Sequence, residues 1–116
     1  LKLSGMNDAP EHLAIYCDDS TDKGAGLGAA SMPEMRRYSV VGAVTLMWLT
    51  ARALGLGVGW VSVLDPKRLN ADLEIPDGWT LVAYLCVGWP AKNTLTPELE
   101  TKGWEVRAPA LHIESR

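Results

Sequence analysis

Ser62 is the hydroxyl best placed for chemistry in this chain, because it closes the run Gly55-Leu56-Gly57-Val58-Gly59-Trp60-Val61-Ser62. Glycine at 55, 57 and 59 lets the main chain turn tightly and lie close to a flat ligand. Trp60 then adds a broad apolar face, and Ser62 a hydroxyl beside exposed main chain. Such a shelf suits a planar cofactor better than a phosphate. The same glycines also fit a helix end followed by a closely packed strand, so the pattern alone leaves both readings open.

The remaining candidates carry less. Gly24-Ala25-Gly26-Leu27-Gly28 is neither GxGxxG nor a Walker loop, which excludes a nucleotide-phosphate cradle of either kind and leaves a surface loop or a mobile lid. Lys102, Arg107 and Arg116 lie in a polar tail; one arginine folded back onto the body could grip a phosphate through paired hydrogen bonds. His12 and His112 have no cysteine or carboxylate at ligand spacing in the sequence and read as structural or surface residues. Cys17 and Cys86 each sit in an apolar run, outside any CxxC, and read as buried free thiols of a reducing, cytoplasmic compartment. No metal site and no Ser-His-Asp arrangement is supported, and a serine after Trp-Val is not a nucleophile elbow.

These residues need elements to hold them. His12–Cys17 (HLAIYC) has the apolar, β-prone composition of a strand. After a loop from Asp18 to Ala30, Ser31 reads as an N-cap for a helix running from about Met32 to Leu54 and stopping at Gly55. Its start is amphipathic, with Arg36 and Arg37 exposed; from Val40 to Leu49 it is apolar nearly all round and must be covered on every side. Val58–Leu64 reads as a strand, Asp65-Pro66 as the start of a short helix through Leu73, and Trp79–Val87 as a second buried strand. Residues 1–96 form the body and 97–116 an extended tail.

At 116 residues the chain is at most one domain, and 47% hydrophobic against 22% charged residues makes it globular. A net charge of −3 without a basic run argues against nucleic acid, and no apolar run is long enough to cross a membrane. The order β, long α, β, short α, β is that of a layered α+β domain. Three strands and a short helix cannot enclose Val40–Leu49, so a second protomer or a further half of the same protein must cover it.

Taken together, the segments resemble the nitroreductase superfamily of flavoenzymes. The residues that carry this are Met32-Pro33-Glu34-Met35 with Tyr38-Ser39-Val40-Val41, then Trp48-Leu49, Ala51-Arg52-Ala53 and Gly55, and Gly57–Ser62. Leu81–Gly88, Pro97-Glu98-Leu99 and Lys102-Gly103-Trp104 follow in order. The resemblance implies a three-layer αβα fold, here its C-terminal half with the long helix central. It also implies a homodimer with FMN at the subunit interface. Ser62 matches a serine beside the isoalloxazine, Gly59, Trp60 and Val61 match the strand along the flavin, and Arg107 matches an arginine near the FMN phosphate. Ala29 stands where the family often has an arginine. The family's N-terminal half, with an arginine-rich phosphate segment and an acidic residue, has no counterpart in these residues. The narrower branch that these motifs fit cuts reduced FMN with molecular oxygen to 5,6-dimethylbenzimidazole, with NAD(P)H as indirect reductant through a possible flavin reductase. An ordinary NAD(P)H-dependent nitro or quinone reductase and a non-catalytic fragment are the alternatives.

Overall fold

The computed structural model describes residues 4–110 and 112–115. Three strands form one antiparallel sheet: β1 (Glu11–Asp18), β2 (Gly57–Val61) and β3 (Trp79–Gly88), with β3 in the middle. Both outer strands run antiparallel to β3 and therefore parallel to each other. The helix α1 (Met35–Ala53) links them, giving a split β-α-β unit into which β3 is inserted. A short helix α2 (Pro66–Asp72) connects β2 to β3, and a single turn α3 (Glu98–Thr101) lies beyond.

The core is the seam between α1 and the sheet. Val44 is 2% exposed, Ala83 2% and Leu85 0%, with Ile15, Val40, Met47, Val58 and Val87 packed around them. Val40, Val44, Met47 and Ala51 recur at helical spacing, so one stripe of α1 faces the sheet. On β3 the odd-numbered Ala83, Leu85 and Val87 meet that stripe, as strand alternation requires. The opposite side of α1 stays uncovered by this chain: Leu46 is 68% exposed and Leu49 64%.

The helix begins at Met35 and not at Met32. Pro33 keeps the preceding Met32 out of the helical region, so residues 31–34 form turns and Ser31 caps nothing; Glu34 takes the cap position without a side-chain bond. The other end is as expected. Gly55, at φ +81°, lets Leu56 N–H reach Ala51 O at 2.8 Å and Gly55 N–H reach Arg52 O at 3.1 Å, a Schellman closure. The strand expected over 58–64 is shorter and earlier, Gly57–Val61, because Ser62 to Leu64 lie beyond the last residue paired to β3. In α2, Asp65 caps Lys67 and Arg68 N–H at 3.0 and 3.2 Å, with Pro66 in the first turn.

The α2 helix lies on the sheet face opposite α1. Ile15 packs into the α1 seam, so its neighbour Tyr16 points the other way, and there its hydroxyl donates to Asn70 Oδ1 of α2 at 3.0 Å. The layers are thus helix, sheet, helix. Past Gly88 the described chain has no strand and, apart from α3, no helix.

Candidate functional site

A concavity of about 170 Å³ opens on the face opposite α1. Trp60, Val61 and Ser62 line one side, Leu64 and Pro66 lead into α2, and Leu81–Tyr84 of β3 form the floor. The volume is below the roughly 300–1,000 Å³ of pockets that enclose small molecules. These residues do not by themselves enclose a small molecule.

The glycines divide the work. A Cβ on Gly57 would meet Gly88 O at 3.5 Å and Pro90 Cβ at 3.6 Å, so that position serves packing. A Cβ on Gly59 would meet nothing within 4 Å. Gly59 pairs with Cys86 and Val61 with Tyr84, and paired residues share a face, so bare main chain at Gly59 sits beside the concavity. Trp60 pairs with Leu85 and is part of the concavity's lining. Ser62 is exposed in the segment after β2, its hydroxyl free to meet a ligand, with no side-chain hydrogen bond among the described residues.

A bulge shapes the floor. Ile15 pairs with Ala83 but Tyr16 pairs with Leu81, leaving Val82 without a partner on β1. Such an extra residue re-aims its neighbours and bends the strand, here within the lining itself. It also sets Cys17 opposite Thr80 on the α1 side.

That shift completes a polar cluster that sequence reasoning missed. Asp19 receives Arg37 Nε at 3.2 and 3.1 Å and Arg37 Nη2 at 2.7 Å, and Thr80 Oγ1 donates to it at 2.6 Å. Arg36 Nη1 donates to the Asp19 carbonyl, and Asp19 N–H donates to Gly78 O at 3.0 Å. The Arg37 and Thr80 hydrogen bonds hold the Asp19 carboxyl down to about 2. Burial and the neighbouring Asp19 push the Cys17 thiol up. Arg37 is exposed as expected and Arg36 half-buried, and both also fasten the start of α1 to the ends of β1 and β3. The available signal was an acid pair ending a strand, Asp18-Asp19, followed by an arginine pair opening a helix.

Both histidines are exposed surface residues, as expected, while the expected burial of Cys86 changes. Strand pairing brings Cys86 Sγ to 3.7 Å from His12 Nδ1, and His112 Nε2 lies 3.3 Å from its near neighbour Glu114. Cys86 is half-buried and His12 exposed, because this face of the sheet is open in the described chain. Burial still pushes the Cys86 thiol up. No group of three or more metal-ligating side chains occurs among the described residues.

The tail does not reach the concavity. Arg107 is exposed and outside its lining, Lys102 pairs with Glu98 at 2.5 Å, and Arg116 lies outside the described residues. The Gly24–Gly28 loop forms a 3₁₀ turn over Lys23–Gly26 and likewise stays outside the lining.

The layered α+β architecture fits a family assignment: residues 1–89 match the nitroreductase family, and the chain belongs to it. Among proteins of known name it is similar to the 5,6-dimethylbenzimidazole synthase of Rhodospirillum rubrum, at 59% identity over 94% of this chain and 52% of that protein. The synthase of that name from Rhodobacter capsulatus is 44% identical over 94% of this chain and 53% of its own length. The chain thus spans about half the length of the curated relatives it matches. A nitroreductase family protein of Clostridium difficile superposes with a TM-score of 0.53 at 24% identity, covering 93% of this chain and 61% of that one, which supports the fold. No described helix is long and apolar enough to cross a membrane.

Proposed function

We propose that this chain serves the oxygen-dependent fragmentation of reduced FMN to 5,6-dimethylbenzimidazole, the lower-ligand base of cobalamin, in the cytoplasm. The observation that carries the reading is the open main chain at Gly59 leading through Val61 to Ser62, in a chain 59% identical to a protein of that name. The open space at Gly59, where a Cβ would meet no atom within 4 Å, supports a flat ring lying on the strand. FMN, when bound, supplies the electrons for reducing oxygen and is itself the molecule cut.

The residues of this chain position and shield. Gly59 lets the ring lie on the strand. Val61 and Tyr84 offer an apolar floor that excludes water from the reacting edge. The Ser62 hydroxyl orients the ring edge or relays a proton there; at its ordinary acidity it is a poor base unaided. Arg107 approaches the FMN phosphate once the tail folds against a covering subunit. That cover comes from a second copy or an N-terminal half, seated on the apolar side of α1 at Val41, Leu46 and Leu49. It also closes the concavity to full size. Reduced flavin is delivered by an NAD(P)H-dependent flavin reductase, since no nicotinamide motif is legible in these residues.

The test incubates the full-length protein with FMN, NADPH, a flavin reductase and air. Loss of flavin with formation of the benzimidazole supports the proposal. Turnover of a nitroaromatic with flavin intact replaces it with a nitro or quinone reductase. Ser62→Ala should keep FMN binding and cut product formation by roughly 100-fold, as expected for loss of a proton-handling group.

A further inference from the structure

Nothing in the resemblance concerns how the wall beyond Ser62 is held. No residue of α2 is buried, so packing alone fixes it weakly. Its own hydrogen bonds are local: Asp65 caps the first turn, and Arg68 meets Asp72 at 3.8 Å on the surface. Among the described residues, one side-chain hydrogen bond joins α2 to the sheet, from the Tyr16 hydroxyl to Asn70 Oδ1 at 3.0 Å. It spans 54 residues of sequence and lies half-buried. Tyr16 pairs with Leu81, part of the concavity floor, and Asn70 is one turn along from Pro66, part of its wall.

We infer that the Tyr16–Asn70 hydrogen bond is a positioning device for the site: it ties α2 to β1 and so fixes the Ser62–Pro66 segment over the floor formed by Leu81–Tyr84. The geometry gives the pair leverage. The chain from Ser62 to Asn70 is nine residues, and it is anchored at one end by β2 and at the other by this bond. Release of Asn70 leaves the wall held by its chain connections to β2 and, through residues 73–78, to β3. The bulge at Val82 is what directs Tyr16 to the Leu81 position, so floor and tether are set by one irregularity. Burial pushes the Tyr16 phenol up, which keeps it a neutral donor across the working pH range. The inference rests on the proposed site for its functional consequence, whereas the tether itself can be tested independently.

The experiment compares hydrogen–deuterium exchange and FMN affinity in the full-length protein for Tyr16→Phe, Asn70→Leu and Asn70→Asp. Loss of a net hydrogen bond should speed exchange over residues 62–73 by roughly two- to tenfold in the first two variants. Residues 80–88 should be unchanged. Asn70→Asp keeps an acceptor for the hydroxyl and should restore protection. The double variant Tyr16→Phe/Asn70→Leu should be no worse than either single change, because both remove one interaction. FMN affinity should fall with the exchange defect and return with Asn70→Asp. Unchanged exchange over 62–73 in Tyr16→Phe overturns the tether. Faster exchange spread evenly over the sheet overturns it too, since that reports a general loss of stability. Local loosening without change in FMN affinity overturns the positioning role, provided Gly59→Ala weakens FMN binding; if Gly59→Ala is also silent, the site reading fails and the tether stands as a structural feature.

Discussion

The two faces of the sheet follow different rules. Against α1, Val44, Ala83 and Leu85 are sealed in an apolar seam, with the Asp19–Arg37 cluster at its end. On the opposite face, Gly59 is bare, Val61 and Tyr84 are half-buried, and the covering helix is held by a polar tether. The first face is a finished core. The second is shaped but open, and its concavity is too small to enclose a ligand without further cover. That second face, with the far side of α1, is where the proposed covering subunit or half would sit. The lesson is that substitutions on the first face should read out as stability and those on the second as binding.

Leu85→Ala tests the first half most severely. Leu85 is 0% exposed at the centre of the seam, and emptying that position should cost about 2–5 kcal/mol. Chemical denaturation of the full-length protein measures it, and a loss below about 1 kcal/mol would mean the seam is not the core. Gly88→Ala comes next. Its Cβ would lie 2.7 Å from Pro10 Cδ, a ring atom that cannot swing aside, so the strand or the entry to β1 must shift. The expected cost is about 1–3 kcal/mol.

The first face was largely legible beforehand. The apolar stretch Val40–Leu49 and the run WTLVAYLCV announce burial, and Gly55 announces the helix end, although which stripe of the helix meets the sheet was not legible there. The family motifs singled out Gly59–Ser62 as candidate site residues, and Trp60, Val61 and Ser62 line one concavity. What stayed hidden depends on register. The bulge at Val82, the approach of Cys86 to His12, and the Asp19 cluster arise when strands 60 or more residues apart are aligned, and no local pattern encodes that alignment. The helix start was misplaced because Ser31 offers a capping side chain while Pro33 vetoes helical geometry just before itself.

The Asp19 cluster belongs to the first face and predicts its acid response. The folded carboxyl sits at about 2, below an unfolded value of 3.8, so its contribution is fully present above about pH 4 and is lost as pH falls through 2. Asp19→Asn should therefore lower stability at neutral pH, with the gap from the parent closing between pH 4 and 2. Arg37 is half exposed and screened by water, which places this effect below that of Gly88→Ala. Denaturation midpoints across that range measure it; a gap that persists unchanged at pH 2 would assign the effect to lost packing.

Gly59→Ala should move stability least and speaks most directly to the second face. The position is extended, and a methyl group there meets no atom within 4 Å, so nothing in the fold resists it. Alanine also loses less freedom on folding than glycine, and stability should hold or rise by about 0.5 kcal/mol. The same methyl would stand on the strip of main chain assigned to the flavin ring. Displacing a ring packed against that strip should weaken FMN binding by roughly tenfold, the scale of an overpacked contact. Fluorescence titration with FMN, run beside thermal denaturation of the same variant, separates the two effects. A variant that is as stable as its parent and binds FMN less well identifies the bare strand as ligand surface. Equal affinity in both would move the ring elsewhere and leave Gly59 as an ordinary gap in a sheet.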